Sequence, residues 1–114
     1  MEGMRRGDLV VVALKGESGK PRPALVVQSD AFASSLFVMV IPLTSVVDPE
    51  QGLRVVISPS PANGLRASSH AMVDRAVLAP VGNLGAVIGR LDAATMRSID
   101  QALACFLGLA DASR

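Results

Sequence analysis

The chain has 114 residues, half of them apolar and 18% charged, with a formal net charge of +1 at pH 7. That length supports one hydrophobic core, so a two-domain enzyme with a separate cofactor domain is excluded and residues 1–114 read as a single domain. The apolar fraction excludes a disordered tail, and the near-neutral balance excludes a protein that coats nucleic acid by global charge. Residues 1–22 and 51–91 are nevertheless net basic, whereas 31–50 and 92–114 are net acidic, so a fold that joins the two basic stretches would make a local basic face. The single cysteine, Cys105, has no internal disulfide partner. The start MEGMRRGD carries no apolar signal region, and no apolar run reaches the roughly 18 residues of a membrane span. The expected compartment is the cytoplasm.

Leu9–Leu14 is a β-branched run that ends in the turn-rich Gly16-Glu17-Ser18-Gly19-Lys20-Pro21, and Pro23–Gln28 is a second run of similar length. Leu36–Leu43 predicts a third strand, apolar on both faces and therefore central, with Pro42 near its end. Leu53–Ile57 predicts a short strand, and Ser58 to Gly64 is strong punctuation. His70–Asp74 and Ala76–Val81 read as two short strands or one bent one. From Asp92 the period changes: Met96, Ile99, Leu103 and Phe106, with Ala102 and Leu107 alongside, make one stripe of a helix over about 93–107. Asp92 suits its N-cap, and Gly108 its C′ position with Leu109 placed for the following contact. Several short strands and one closing helix predict a mainly β fold, a small barrel with a C-terminal helix.

Several functional signals are absent. Gly16 to Lys20 lacks the spacing of a P-loop, and Gly82, Gly85 and Gly89 do not form a dinucleotide fingerprint. One His and one Cys cannot build a metal cluster, which leaves only an all-carboxylate site conceivable, and no metal or cofactor is expected. Arg6-Gly7-Asp8 matches an adhesion tripeptide but reads as the lead into the first strand. Phe32, Phe37 and Phe106 sit in apolar contexts and are expected to offer no stacking platform for bases, which also disfavours a proline-peptide groove. Cys105, among Ala, Leu and Phe, is expected to pack inertly. His70 is the one side chain whose ordinary pKa suits acid–base work at neutral pH.

Glu17 to Pro23 stands apart. Prolines on both sides of Arg22 restrict the backbone that carries its guanidinium, which suits capture of an anion. The plainer reading pairs Arg22 with Glu17 or Asp30 as a loop staple. With Arg6-Gly7-Asp8-Leu9-Val10 before it, Gly19-Lys20-Pro21-Arg22-Pro23-Ala24-Leu25-Val26-Val27-Gln28 across it and Val40-Ile41-Pro42-Leu43-Thr44-Ser45 after it, the chain resembles the MazF/PemK toxins of type II toxin–antitoxin systems. Asp74, Ile88-Gly89-Arg90-Leu91-Asp92 and the closing helix extend the resemblance over essentially the whole sequence.

The resemblance implies an SH3-like barrel of the plasmid-maintenance toxin type and a homodimer whose cleft binds single-stranded RNA. It also implies a metal-independent endoribonuclease and a cognate antitoxin with a disordered, acidic and apolar tail. By position, Arg22 and Thr44 fall on the family's catalytic arginine and threonine, and Glu17 on its loop acid. The RNA 2′-OH is the implied nucleophile. Arg22 and Thr44 would stabilise the phosphorane, and Glu17 is first choice as proton acceptor, ahead of Asp74 and His70. Asp74, His70, Lys20 and Ser45 are further catalytic or RNA-binding candidates, and Arg54, Arg66 and Arg75 are candidate anchors for RNA or the antitoxin. Met72 stands where some members carry an arginine two residues before Asp74. Because fold alone does not fix activity, a non-catalytic barrel toxin that inhibits DNA gyrase by direct binding is the alternative.

Overall fold

The computed structural model describes residues 4–13, 20–33, 36–46 and 52–110. Seven antiparallel strands and one helix follow in order: β1 (Asp8–Val12), β2 (Arg22–Val26), β3 (Phe37–Thr44), β4 (Arg54–Ile57), β5 (Ser69–Met72), β6 (Val77–Pro80), β7 (Leu84–Arg90) and α1 (Ala93–Phe106). The sheet runs β4-β5-β3-β2-β1-β7, with β6 also on β3. As the two-sided apolar pattern predicts, β3 is central and buried on both faces. Its odd residues Ile41 and Leu43 join Leu9, Leu25 and Ile99 in one core, and its even residues Val38 and Val40 join Val10, Val12, Ala24 and Val26 in another.

Pro42 explains why the stretch from His70 to Val81 forms two short strands, the first of the two readings, and not one bent strand. Val27 N–H donates to Met39 O at 3.1 Å, so odd β2–β3 pairs are the hydrogen-bonded ones and the N–H groups of even β3 residues point to the other edge. On that edge Pro42 has no N–H to offer. β5 pairs with β3 only at Leu43 and Thr44, and β6 only from Phe37 to Val40. Between them the chain makes a 3-10 turn over Val73–Arg75. Asp74 therefore lies on a turn and not on the strand the sequence predicts.

β7 is a strand the sequence reading leaves as a lead into the helix. Gly85, Ala86 and Gly89 dilute its β-branched signal, and its register against β1 shifts twice. The tripeptide Arg6-Gly7-Asp8 is a tie between this strand and the helix. Arg90 pairs with the buried Asp8 carboxylate, which also accepts from Arg5 N–H at 2.8 Å. Arg6 pairs with Asp100 of α1, and Leu91 N–H donates to Gly7 O at 3.0 Å. Gly7 itself has φ +96°, which a side chain would resist.

The helix begins and ends where its caps predict. Asp92 accepts from Thr95 N–H at 3.1 Å and from the Thr95 hydroxyl at 2.6 Å, and these bonds hold its carboxyl below the ordinary aspartate value. A lowered folded pKa stabilises the fold above the unfolded pKa, and that contribution is lost as pH falls through the folded value. Asp92→Ala is thus expected to lower the melting temperature at neutral pH, and the gap should close in melts run below about pH 4. At the other end Gly108 (φ +75°) donates to Cys105 O at 3.1 Å and Leu109 to Ala104 O at 2.7 Å, a Schellman closure.

The stripe is shorter than its spacing predicts. Ile99 is fully buried and Met96, Ala102 and Leu103 pack on the same core, but Phe106, Leu107 and Leu109 are exposed. The last turn stands off β4 across a depression lined by Leu53, Val55, Ser98, Cys105 and Phe106, and among the described residues none covers Phe106, Leu107 or Leu109. Phe32 and Phe37 are also exposed, against the expectation that the three aromatics offer no exposed platform.

Candidate active site

The pairing of four strands assembles the candidate residues into one row. Val12 lies opposite Arg22 across β1 and β2, and Thr44 lies opposite His70 across β3 and β5. Ala24 lies opposite Pro42, the last β2–β3 pair at this end, and Arg22 and Thr44 follow at the same even positions of their strands. Both side chains line the same two clefts, which is what brings them together. Arg22, Thr44 and His70 therefore share one face of the sheet. Pro23 holds Arg22 in extended backbone. Thr44 is oriented as well: its Oγ1 accepts from Val46 N–H at 3.1 Å, which leaves its O–H to donate outward.

Two clefts meet at this pair. One, of about 150 Å³, is lined by Val12, Lys20, Arg22, Pro23, Pro42, Leu43, Thr44, Val46, Met72 and Arg75. The other, of about 370 Å³, adds Ser45, Gly64, Leu65, Arg66, Ala67, Ser69 and Ile88 to Arg22, Pro23, Leu43 and Thr44. Arg22 and Thr44 thus form the ridge between two hollows, where an extended chain would cross with one phosphate over the pair. Four of the five candidates in these linings besides Thr44 are cationic: Lys20, Arg22, Arg66 and Arg75. The two basic stretches of the sequence do converge on one face.

Other candidates fall elsewhere. Glu17 lies outside the described residues. Asp74 lines neither cleft. Its carboxylate packs on Gly52, where a Cβ would sit 1.8 Å from Oδ2, so it faces the segment that leads into β4. Arg54 belongs to the depression between β4 and α1, and its buried Nε has no hydrogen-bond partner among the described residues. His70 follows Thr44 in the row yet lines neither cleft. Asp30, the other proposed staple for Arg22, instead accepts from Arg6 N–H at 2.8 Å. Sequence reasoning missed Leu65, Ser69 and Ile88. The first follows a segment read only as punctuation, and the last sits on the unpredicted strand. No group of three metal-ligating side chains occurs among the described residues.

A family model described as the PemK-like, MazF-like toxin of type II toxin–antitoxin systems matches residues 5–107. The chain belongs to this family. A curated relative, the probable endoribonuclease MazF of Mycolicibacterium smegmatis, is 41% identical over 108 residues, covering 94% of this chain and 99% of the relative. Among solved structures, the Mycobacterium tuberculosis toxin MazF-mt6 superposes with a TM-score of 0.73 at 26% identity, over 89% of this chain and 96% of that one. A mycobacterial endoribonuclease solved with its cognate antitoxin gives a TM-score of 0.77 at 25% identity, over 95% of this chain and 98% of that one. The chain thus has the fold of these MazF toxins, and the gyrase-inhibitor reading is not favoured.

Proposed function

We propose that the chain is the toxin of a type II toxin–antitoxin pair, a metal-independent endoribonuclease that cuts single-stranded RNA. It would act as a single domain, residues 1–114, in a cytoplasmic homodimer. The observation that carries the reading is the ridge itself: a guanidinium and an oriented hydroxyl, side by side between two open hollows. RNA brings its own nucleophile, so the protein needs to align the 2′-OH and stabilise the extra negative charge of the phosphorane. Arg22 holds the nonbridging oxygens in a charge-assisted, bidentate contact, and the Thr44 hydroxyl donates to the same phosphate. Lys20, Ser45 and Arg75 hold the flanking backbone. Glu17 takes the 2′-OH proton as the 2′-oxygen bonds to phosphorus, and the P–O5′ bond then breaks with the leaving 5′-oxygen taking a proton from water; His70 is next as the base, and the packing of Asp74 on Gly52 disfavours that residue.

An antitoxin tail rich in acidic and apolar residues would satisfy the same cationic, apolar-floored hollows and so exclude RNA from them. A tail that must order on binding can be removed by proteolysis when free. The test is incubation of the purified protein with a long single-stranded RNA in EDTA, followed by mapping of product ends. Defined cuts that leave 2′,3′-cyclic phosphate or 3′-phosphate ends are expected, at rates that chelation leaves unchanged. Intact RNA alongside inhibited DNA supercoiling would overturn the nuclease reading in favour of gyrase binding.

A further inference from the structure

The two hollows beside Arg22 and Thr44 are not equivalent. Small-molecule sites span roughly 300–1,000 Å³. The cleft on the β5–β7 side, at about 370 Å³, falls in that range, whereas its neighbour at about 150 Å³ does not. The larger one therefore has the size of a nucleoside site.

Its far wall is a built structure. Asn63 is buried; its Oδ1 accepts from Ser60 N–H at 3.0 Å and Leu65 N–H at 2.9 Å, and its Nδ2 donates to Ser58 O at 2.9 Å. Gly64 and Gly89 let this loop lie directly on β7: a Cβ on Gly64 would be 2.2 Å from Ile88 O, and one on Gly89 would be 2.4 Å from the Asn63 carbonyl carbon. The loop therefore holds the backbone that carries Leu65 and Arg66 over β7 before any ligand arrives.

The side-chain donor of that wall is Arg66. No hydrogen bond or ion pair among the described residues engages the Arg66 guanidinium. The buried Ser69 hydroxyl spends its own proton on Ala67 O at 3.1 Å. Apolar floor is provided by Leu65, Ile88 and Leu43.

We infer that this cleft is the subsite for the nucleoside next to the scissile phosphate, and that Arg66 makes it select a keto base, guanine or uracil. A fork of donors matches the paired acceptors on the edge of guanine and the carbonyls of uracil, and it meets an amino group where adenine or cytosine would stand. The base packs between Leu65 and Ile88 while its phosphate rests on the ridge. This inference rests on the nuclease reading and deepens it.

The experiment maps cleavage ends on an RNA pool randomised around the cut for the wild-type chain, Arg66→Ala and Arg66→Lys, with a thermal melt of each. Arg66 is exposed, so both variants are expected to melt with the wild type. Expected is a keto base enriched at one position adjoining the cut, a preference that falls roughly ten- to hundredfold in Arg66→Ala. Arg66→Lys should restore little of it, because the charge remains and the fork does not. Cutting should continue at other sites, with the loss in KM for the preferred sequence and not in kcat. An unchanged base profile in Arg66→Ala, or an adenine or cytosine preference in the wild type, overturns the subsite and leaves the nuclease standing. A wild-type chain that cuts no RNA overturns both.

Discussion

Arg22→Ala is expected to lower the single-turnover rate of RNA cleavage by roughly 10²- to 10³-fold, the cost of removing one preorganised donor from a developing oxyanion. Arg22 is exposed at the start of β2, with Pro23 behind it and Thr44 lining the same clefts, so its removal opens no cavity and the melting temperature should hold. Arg22→Lys keeps the charge and loses the planar fork that fits two nonbridging oxygens, and should recover only a small part of the rate. Thr44→Val keeps the shape and the strand propensity but removes the hydroxyl. Because both groups bind one phosphate, the double variant should lose less than the product of the single losses. A folded Arg22→Ala protein that cleaves at the wild-type rate would end the assignment of this residue.

Arg22 stands out in the sequence because prolines flank it, whereas Thr44 is reached only through the resemblance to the MazF/PemK toxins. Pro23 fixes the backbone beside Arg22, and Pro42 marks the exit of the one strand whose apolar residues fill both faces. The helix was legible from its period and from Asp92 and Gly108, which are local signals. What the sequence hid is non-local. The far wall of the larger cleft depends on a loop that sits on β7, and β7 carries glycines where close backbone approach is required; those same glycines remove the β-branched pattern by which a strand is recognised. Asp74 was misplaced for a related reason. Pro42 breaks the neighbouring ladder thirty residues along the chain, and no pattern within Ser69–Pro80 reports a missing N–H on another strand. The exposed Phe106 and Leu107 show the limit of periodicity, which gives the apolar face of a helix but not where its cover ends.

Gly64→Ala is expected to be the most damaging small change outside the two cores. At φ +70° an alanine would sit in left-handed backbone, a cost of about 1–2 kcal/mol, and its methyl would lie 2.2 Å from the Ile88 carbonyl oxygen. That oxygen belongs to the backbone of β7, so relief requires either the loop or the strand to move. The combined penalty should reach about 2–4 kcal/mol, which lowers the melting temperature of a domain this size by on the order of 10 °C. Gly82→Ala is the matched control, since a Cβ there meets nothing within 4 Å and its φ is not positive; it should be neutral or slightly stabilising. Below its melting point Gly64→Ala also separates scaffold from chemistry. Displacing Leu65 and Ile88 should blur the base preference at the cut while Arg22 and Thr44, anchored on β2 and β3, continue to cleave. Equal melting of the two alanine variants would show that the loop does not depend on contact with β7, and with that the preorganised wall of the larger cleft would be lost as an explanation of specificity.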